Sequence, residues 1–138
     1  MNNDFIDIVL TKEQMRELLD HNIYDNDASL IYDSKDGSYV INNIYARKYH
    51  CNLFADILKV NYRFTLGDLL RICDAINKKI PDYSIDMTLN TGIVSDSEGN
   101  IIYKDITESR IDRVYNVILW VCNNILKERN IKIERFNN

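Results

Sequence analysis

An Asp-Gly pair, Asp36-Gly37, divides two short β-rich runs, Leu30–Asp33 and Ser38–Ile41. Glycine accepts the positive φ that a tight hairpin turn requires, so the pair turns the two runs back on each other as antiparallel strands. A second turn of this kind, Ser97-Glu98-Gly99, lies between Gly92–Asp96 and Asn100–Lys104. Upstream of it, Tyr83, Ile85, Met87 and Leu89 alternate with polar residues, which is the period-two pattern of a half-buried strand. Sheet built from hairpins is the strongest constraint that the chain carries.

Helical segments separate these strands. Thr11-Lys12-Glu13-Gln14 has the form of a capping box, and Met15, Leu18 and Leu19 follow it as an apolar stripe that ends near His21. From Asn42, Tyr45, Tyr49, Leu53, Ile57 and Val60 recur at helical spacing. Thr65-Leu66-Gly67-Asp68 opens another helix with the stripe Leu66, Leu69, Leu70, Cys73 and Ile76. Ile80-Pro81 stops it, because a residue before proline avoids the helical region. A long helix is expected over Glu108–Glu128, capped by Asp105 or Thr107. Its apolar face is wide enough for the centre of a core or half of an interface. Trp120 on that face is the expected core or interface anchor, and Ile131–Phe136 is expected as a short terminal strand.

The expected fold is therefore α+β: an antiparallel, hairpin-built sheet with three to four helices, the long C-terminal helix packed on the sheet. At 138 residues the chain suits a single domain, 1–138, with 1–4 and 137–138 frayed. The longest apolar run is Val117–Val121, far too short to span a membrane.

Composition narrows function by exclusion. Four glycines cannot build a phosphate-cradling loop, and there is no GxxxxGK[ST], GxGxxG or GxSxG pattern. The two histidines, His21 and His50, have no partner at metal-ligand spacing, so no metal or other cofactor is expected. Three cysteines with no CxxC pair, and an N-terminus without a basic, apolar leader, point to free buried thiols and a cytoplasmic location. The chain holds 20 Ile and 17 Asn against 4 Ala, 4 Gly and 1 Pro, a bias toward AT-rich codons. That bias points to an AT-rich phage, virus or bacterium as the source.

The net charge of -4 is unevenly placed. Residues 1–40 hold nine acids and three bases, while residues 41–82 hold seven bases and four acids. The leading expectation is a small, acidic, non-enzymatic protein-binding module, of the kind that acts as an inhibitor, immunity or anti-defence protein. Asp20, Asp25, Asp27, Asp33 and Asp36 are its candidate contacts, steering a partner with a basic surface. Self-association through the 117–121 stripe would make it a homodimer.

Two other classes stand beside it. Residues 62–77, Tyr-Arg-Phe-Thr-Leu-Gly-Asp-Leu-Leu-Arg-Ile-Cys-Asp-Ala-Ile-Asn, resemble the fourth helix of phage-repressor-type helix-turn-helix domains. The resemblance implies a DNA-binding regulator contacting phosphates through Arg47, Lys48, Arg63 and Arg71. The upstream stretch where such domains read DNA lacks the turn glycine, and the acidic first third opposes a nucleic-acid footprint. The third class is a small-molecule or nucleotide binder, or an enzyme, with a site assembled from scattered residues.

Overall fold

The structure, a computed structural model, describes residues 9–33, 37–42 and 61–137. It contains helix α1 (Lys12–Asp20), strands β1 (Leu30–Asp33), β2 (Ser38–Ile41) and β3 (Tyr62–Arg63), and helix α2 (Leu66–Lys79). Strands β4 (Tyr83–Met87), β5 (Gly92–Asp96) and β6 (Ile101–Asp105) follow, then helix α3 (Arg110–Val121). The last helix runs on through a π-helical turn, Cys122–Leu126, and a final α turn, Lys127–Arg129. The fold is α+β, as the turn signals require, but the strands form two three-stranded antiparallel sheets, ordered β2-β1-β3 and β4-β5-β6. The helix expected from Asn42 falls almost wholly outside the described residues, and Val9 makes an isolated bridge to Thr65.

Both capping boxes form. In α1 the Gln14 amide donates to Thr11 Oγ1 at 3.1 Å, and the Thr11 amide donates to Gln14 Oε1 at 2.9 Å. In α2 Thr65 and Asp68 exchange the same pair of bonds. The third N-cap is Ser109 rather than Asp105 or Thr107. Asp105 instead accepts the Thr107 amide at 2.9 Å, which places the chain for Ser109 to cap.

One apolar cluster joins these elements. Leu18, Ile23, Phe64, Leu69, Ile72, Ile76, Ile118 and Leu126 are fully buried in it. The inward face of the second sheet, Ile85 and Val94 with Tyr83, Met87 and Tyr103 against them, packs on the helices. At Gly92 the sheet and α3 approach so closely that a Cβ would lie 2.5 Å from Val117 Cγ2. Two residues read as inward point outward. Leu19 is 42% exposed, because α1 buries only a narrow stripe led by Met15 and Leu18. Leu89 is 72% exposed, since β4 ends at Met87 and the Leu89 carbonyl turns inward to accept from Arg113 Nη2 at 2.6 Å. Arg113 is itself buried and also donates to the Thr107 carbonyl, which ties the β4–β5 turn to the start of α3.

The C-terminal tail is not the expected strand. It contributes a single parallel bridge, Ile23 to Ile133. Asn137, which the sequence reading leaves loose, donates its amide to Asp27 Oδ2 at 3.0 Å.

Candidate functional site

Three parts of the chain meet around two buried carboxylates: the loop after α1, the first half of α2, and the C-terminal tail. Asp68 is completely buried. Its carboxylate accepts the Thr65 amide that closes the capping box, the Ser29 amide at 2.8 Å and the Ser29 hydroxyl at 2.5 Å. Arg71, one turn further along α2, donates Nη2 to Asp68 Oδ1 and to Ser29 Oγ. Asp68 thus fixes both the loop and the Arg71 guanidinium.

Asp27 does the same for the tail. Its side chain is 5% exposed. Arg135 Nε donates to Oδ1 at 2.8 Å, and the Phe136 and Asn137 amides donate to Oδ2. Burial pushes the Asp27 carboxyl up, but these donors outweigh it and hold the group below its ordinary value.

Two shallow grooves flank Arg135. One, about 350 Å³, is lined by Asn26, Ser29, Asn42 and Asn137 among others. In it Asn42 donates to the Ala28 carbonyl at 2.7 Å, while its own buried Oδ1 accepts no hydrogen bond among the described residues. The other groove, about 340 Å³, has Arg71, Asp74, Ala75 and Lys78 on one helical face of α2, with Lys79 beside them. Arg135 and Phe136 form its opposite wall.

A second feature lies at the other end of the fold. The two outer strands of the β4-β5-β6 sheet are finished differently. At β4 the Asn77 side chain from α2 accepts the Ile85 amide at 2.8 Å and donates to the Ile85 carbonyl at 3.2 Å, which closes that edge. At β6 no backbone group on the side away from β5 has a partner among the described residues. Ile101 and Ile102 on that strand, and Ile106 just past it, are exposed at 59%, 39% and 71%. Trp120 is half-buried nearby, its ring stacked on Tyr103 of β6 at 4.9 Å and 14°.

The residues singled out from sequence are scattered by this arrangement. Asp20 is exposed at the end of α1. Asp25 is half-buried, and burial pushes its carboxyl up. Asp27 is withdrawn into the tail clamp. Asp33 pairs through its backbone with Ser38, and Asp36 lies outside the described residues. Of the four basic residues, Arg47 and Lys48 also lie outside them. Arg63 is buried with its guanidinium 5.2 Å from the Tyr32 ring centre, so it faces protein. Arg71 lines the second groove. Sequence reasoning missed Arg135, Lys78 and Lys79 as its companions. The Asp68–Arg71 spacing of three within a helix was a usable signal; nothing in the sequence links Arg135 to Asp27.

Among the described residues no group of three His, Cys, Asp or Glu side chains is placed to hold a metal ion. Among the described residues no helix is long and apolar enough to cross a membrane. Cys73 and Cys122 are buried, and burial raises both thiols to about 12, far from thiolate at neutral pH. The chain matches no protein-family model, no curated protein and no solved structure.

Proposed function

We propose that this protein is a non-enzymatic binding module that docks on another protein by adding a strand of that partner to the open edge of β6. The unequal finish of the second sheet carries this reading. Unpaired strand edges invite pairing with other chains, and folded proteins commonly blunt them. Here Asn77 blunts one edge. The other has no backbone partner among the described residues, with Ile101, Ile102 and Ile106 around it and the Tyr103–Trp120 stack beneath. Backbone groups on such an edge provide affinity, and the side chains around it provide selectivity.

Small size, net acidity and AT-rich composition support an inhibitor, immunity or anti-defence role, with a host protein of basic surface as the partner. Asp20 and Asp25 would steer its approach, which makes the association rate sensitive to salt.

Site-specific photo-crosslinking in the natural host tests the docking mode. A crosslinker at Ile102 is expected to capture one protein in good yield, and one at Glu128 is not. The same protein should be lost from an Ile101→Lys/Ile102→Glu variant that still unfolds cooperatively. Equal capture from both positions, or retention by the variant, would remove the β6 edge from the reading.

A further inference from the structure

We infer that the groove between α2 and the C-terminal tail is a binding site for a small phosphorylated ring compound, a phosphate monoester carried on a flat ring and of about mononucleotide size. This site is separate from the β6 edge and does not depend on it.

The cations of the groove are held in place before any ligand arrives. Arg71 comes from α2 and Arg135 from the C-terminal tail, and each is anchored by a buried carboxylate, Asp68 and Asp27. Both keep part of the guanidinium open, since their side chains are 44% and 66% exposed. A guanidinium locked on one side retains donors in a fixed fork on the other, and that geometry matches phosphate oxygens. Locking also lowers the ordering cost of binding.

The lysines add a different element. The charges of Arg71 and Arg135 are matched by their buried carboxylates. The excess positive charge therefore rests on exposed Lys78 and Lys79, set against Asp74 among the described lining residues. The arginines give direction and the lysines give charge. The negative end of the α2 dipole lies at Lys79, so the anion is expected nearer the Arg71–Arg135 side.

The rest of the groove selects the body of the ligand. Phe136 is half-buried, with its ring held edge-on to Phe64 at 5.6 Å between centres. Phe136 and Ala75 both line the groove and supply apolar surface for a flat ring. A volume of about 340 Å³ falls in the range of small-ligand sites. Asp74 interrupts the positive track, which disfavours the regularly spaced phosphates of a nucleic-acid strand.

Titration of the full chain with adenosine monophosphate, followed by NMR and calorimetry, tests the site. One molecule should bind per chain, shifting the amides of Ala75 and Phe136. Its affinity should exceed that of inorganic phosphate or adenosine alone by roughly tenfold or more, a difference of about 1.4 kcal/mol. Lys78→Ala/Lys79→Ala, both exposed positions, should weaken the nucleotide by at least about tenfold while the unfolding midpoint stays in place. Phe136→Leu should weaken the nucleotide and leave phosphate unaffected. The assignment is overturned by any of three results: no saturable binding, equal affinity of the lysine variant, or tighter binding of a single-stranded oligonucleotide with shifts beyond the groove.

Discussion

The Asp27 carboxylate and the Arg135 guanidinium, 108 positions apart in the chain, meet at 2.8 Å. The contact secures the tail to the loop after α1 and carries the Phe136 and Asn137 amides with it. Asp27→Asn should cost about 2 kcal/mol in urea unfolding, since hydrogen bonds to a charged group are each worth about 1.5–3 kcal/mol. Amide exchange at Phe136 and Asn137 should quicken more than exchange in α2.

The same carboxylate sets an acid limit on stability. Its pKa is lowered on folding, so its contribution is present above the ordinary carboxylate value and is lost as pH falls through the lower, folded value. Stability curves of the parent and Asp27→Asn should therefore converge in acid and separate toward neutral pH. Curves that stay parallel throughout would show that Asp27 titrates alike in both states.

Asp68 combines a cap with a buried ion-pair partner, so its loss should exceed that of the cap alone. Thr65→Ala is expected to cost about 1 kcal/mol. Asp68→Ala strands Ser29, the Thr65 amide and Arg71 together, and is expected to cost about 3–5 kcal/mol. Adding Arg71→Met to Asp68→Ala should recover part of the loss, as chemical denaturation of the double variant would show.

Gly92 and Val117 should behave as one unit. Gly92→Ala forces a methyl to 2.5 Å from Val117 Cγ2 and to 3.0 Å from Met87 Cε, an overpacking worth about 1–3 kcal/mol. Val117→Ala makes space for that methyl. The double variant should be more stable than the sum of the two single losses, and a double-mutant cycle measures the difference. Additive losses would mean that backbone movement, not the methyl contact, sets the cost.

Thiol chemistry offers a direct check on packing. In a Cys51→Ser background, Cys73 and Cys122 should resist a disulfide reagent in the folded protein and react fully on unfolding, because burial holds both near 12. Tyr103 should likewise ionise late. Burial, and then its hydrogen bond to Asp105 at 2.8 Å, raise the phenol to about 12. That contribution is present below the ordinary tyrosine value and is lost as pH rises through about 12. Ultraviolet titration of the parent against Tyr103→Phe isolates it.

Local signals carried much of the fold. The Gly37 and Gly99 turns both adopt positive φ, and both capping boxes close as written. The Ile80-Pro81 stop falls where α2 ends. These features depend on neighbours within four residues, and the sequence displays such neighbours directly. The division into two sheets was not legible, because it depends on Tyr62-Arg63 pairing with Leu30-Ile31 across an interval that no local pattern spans. Asp27 illustrates the same limit within the candidate site. It reads as one of a run of surface acids, and only the returning tail turns it into an internal anchor. Leu89 fails for the opposite reason: its alternation is faultless, yet the strand ends two residues earlier.

The π-helical turn at Cys122–Leu126 gives the last helix one residue more than a regular path would use. A residue in an α-helix turns the chain by about 100°, so this surplus sets the heading at which the helix ends. Left-handed Asn130 and the Ile133 bridge then carry that heading to Arg135. The turn therefore acts as the aiming device for the tail. Removing Asn123 would leave a straight, well-formed helix that delivers Arg135 and Phe136 to the wrong side of the molecule.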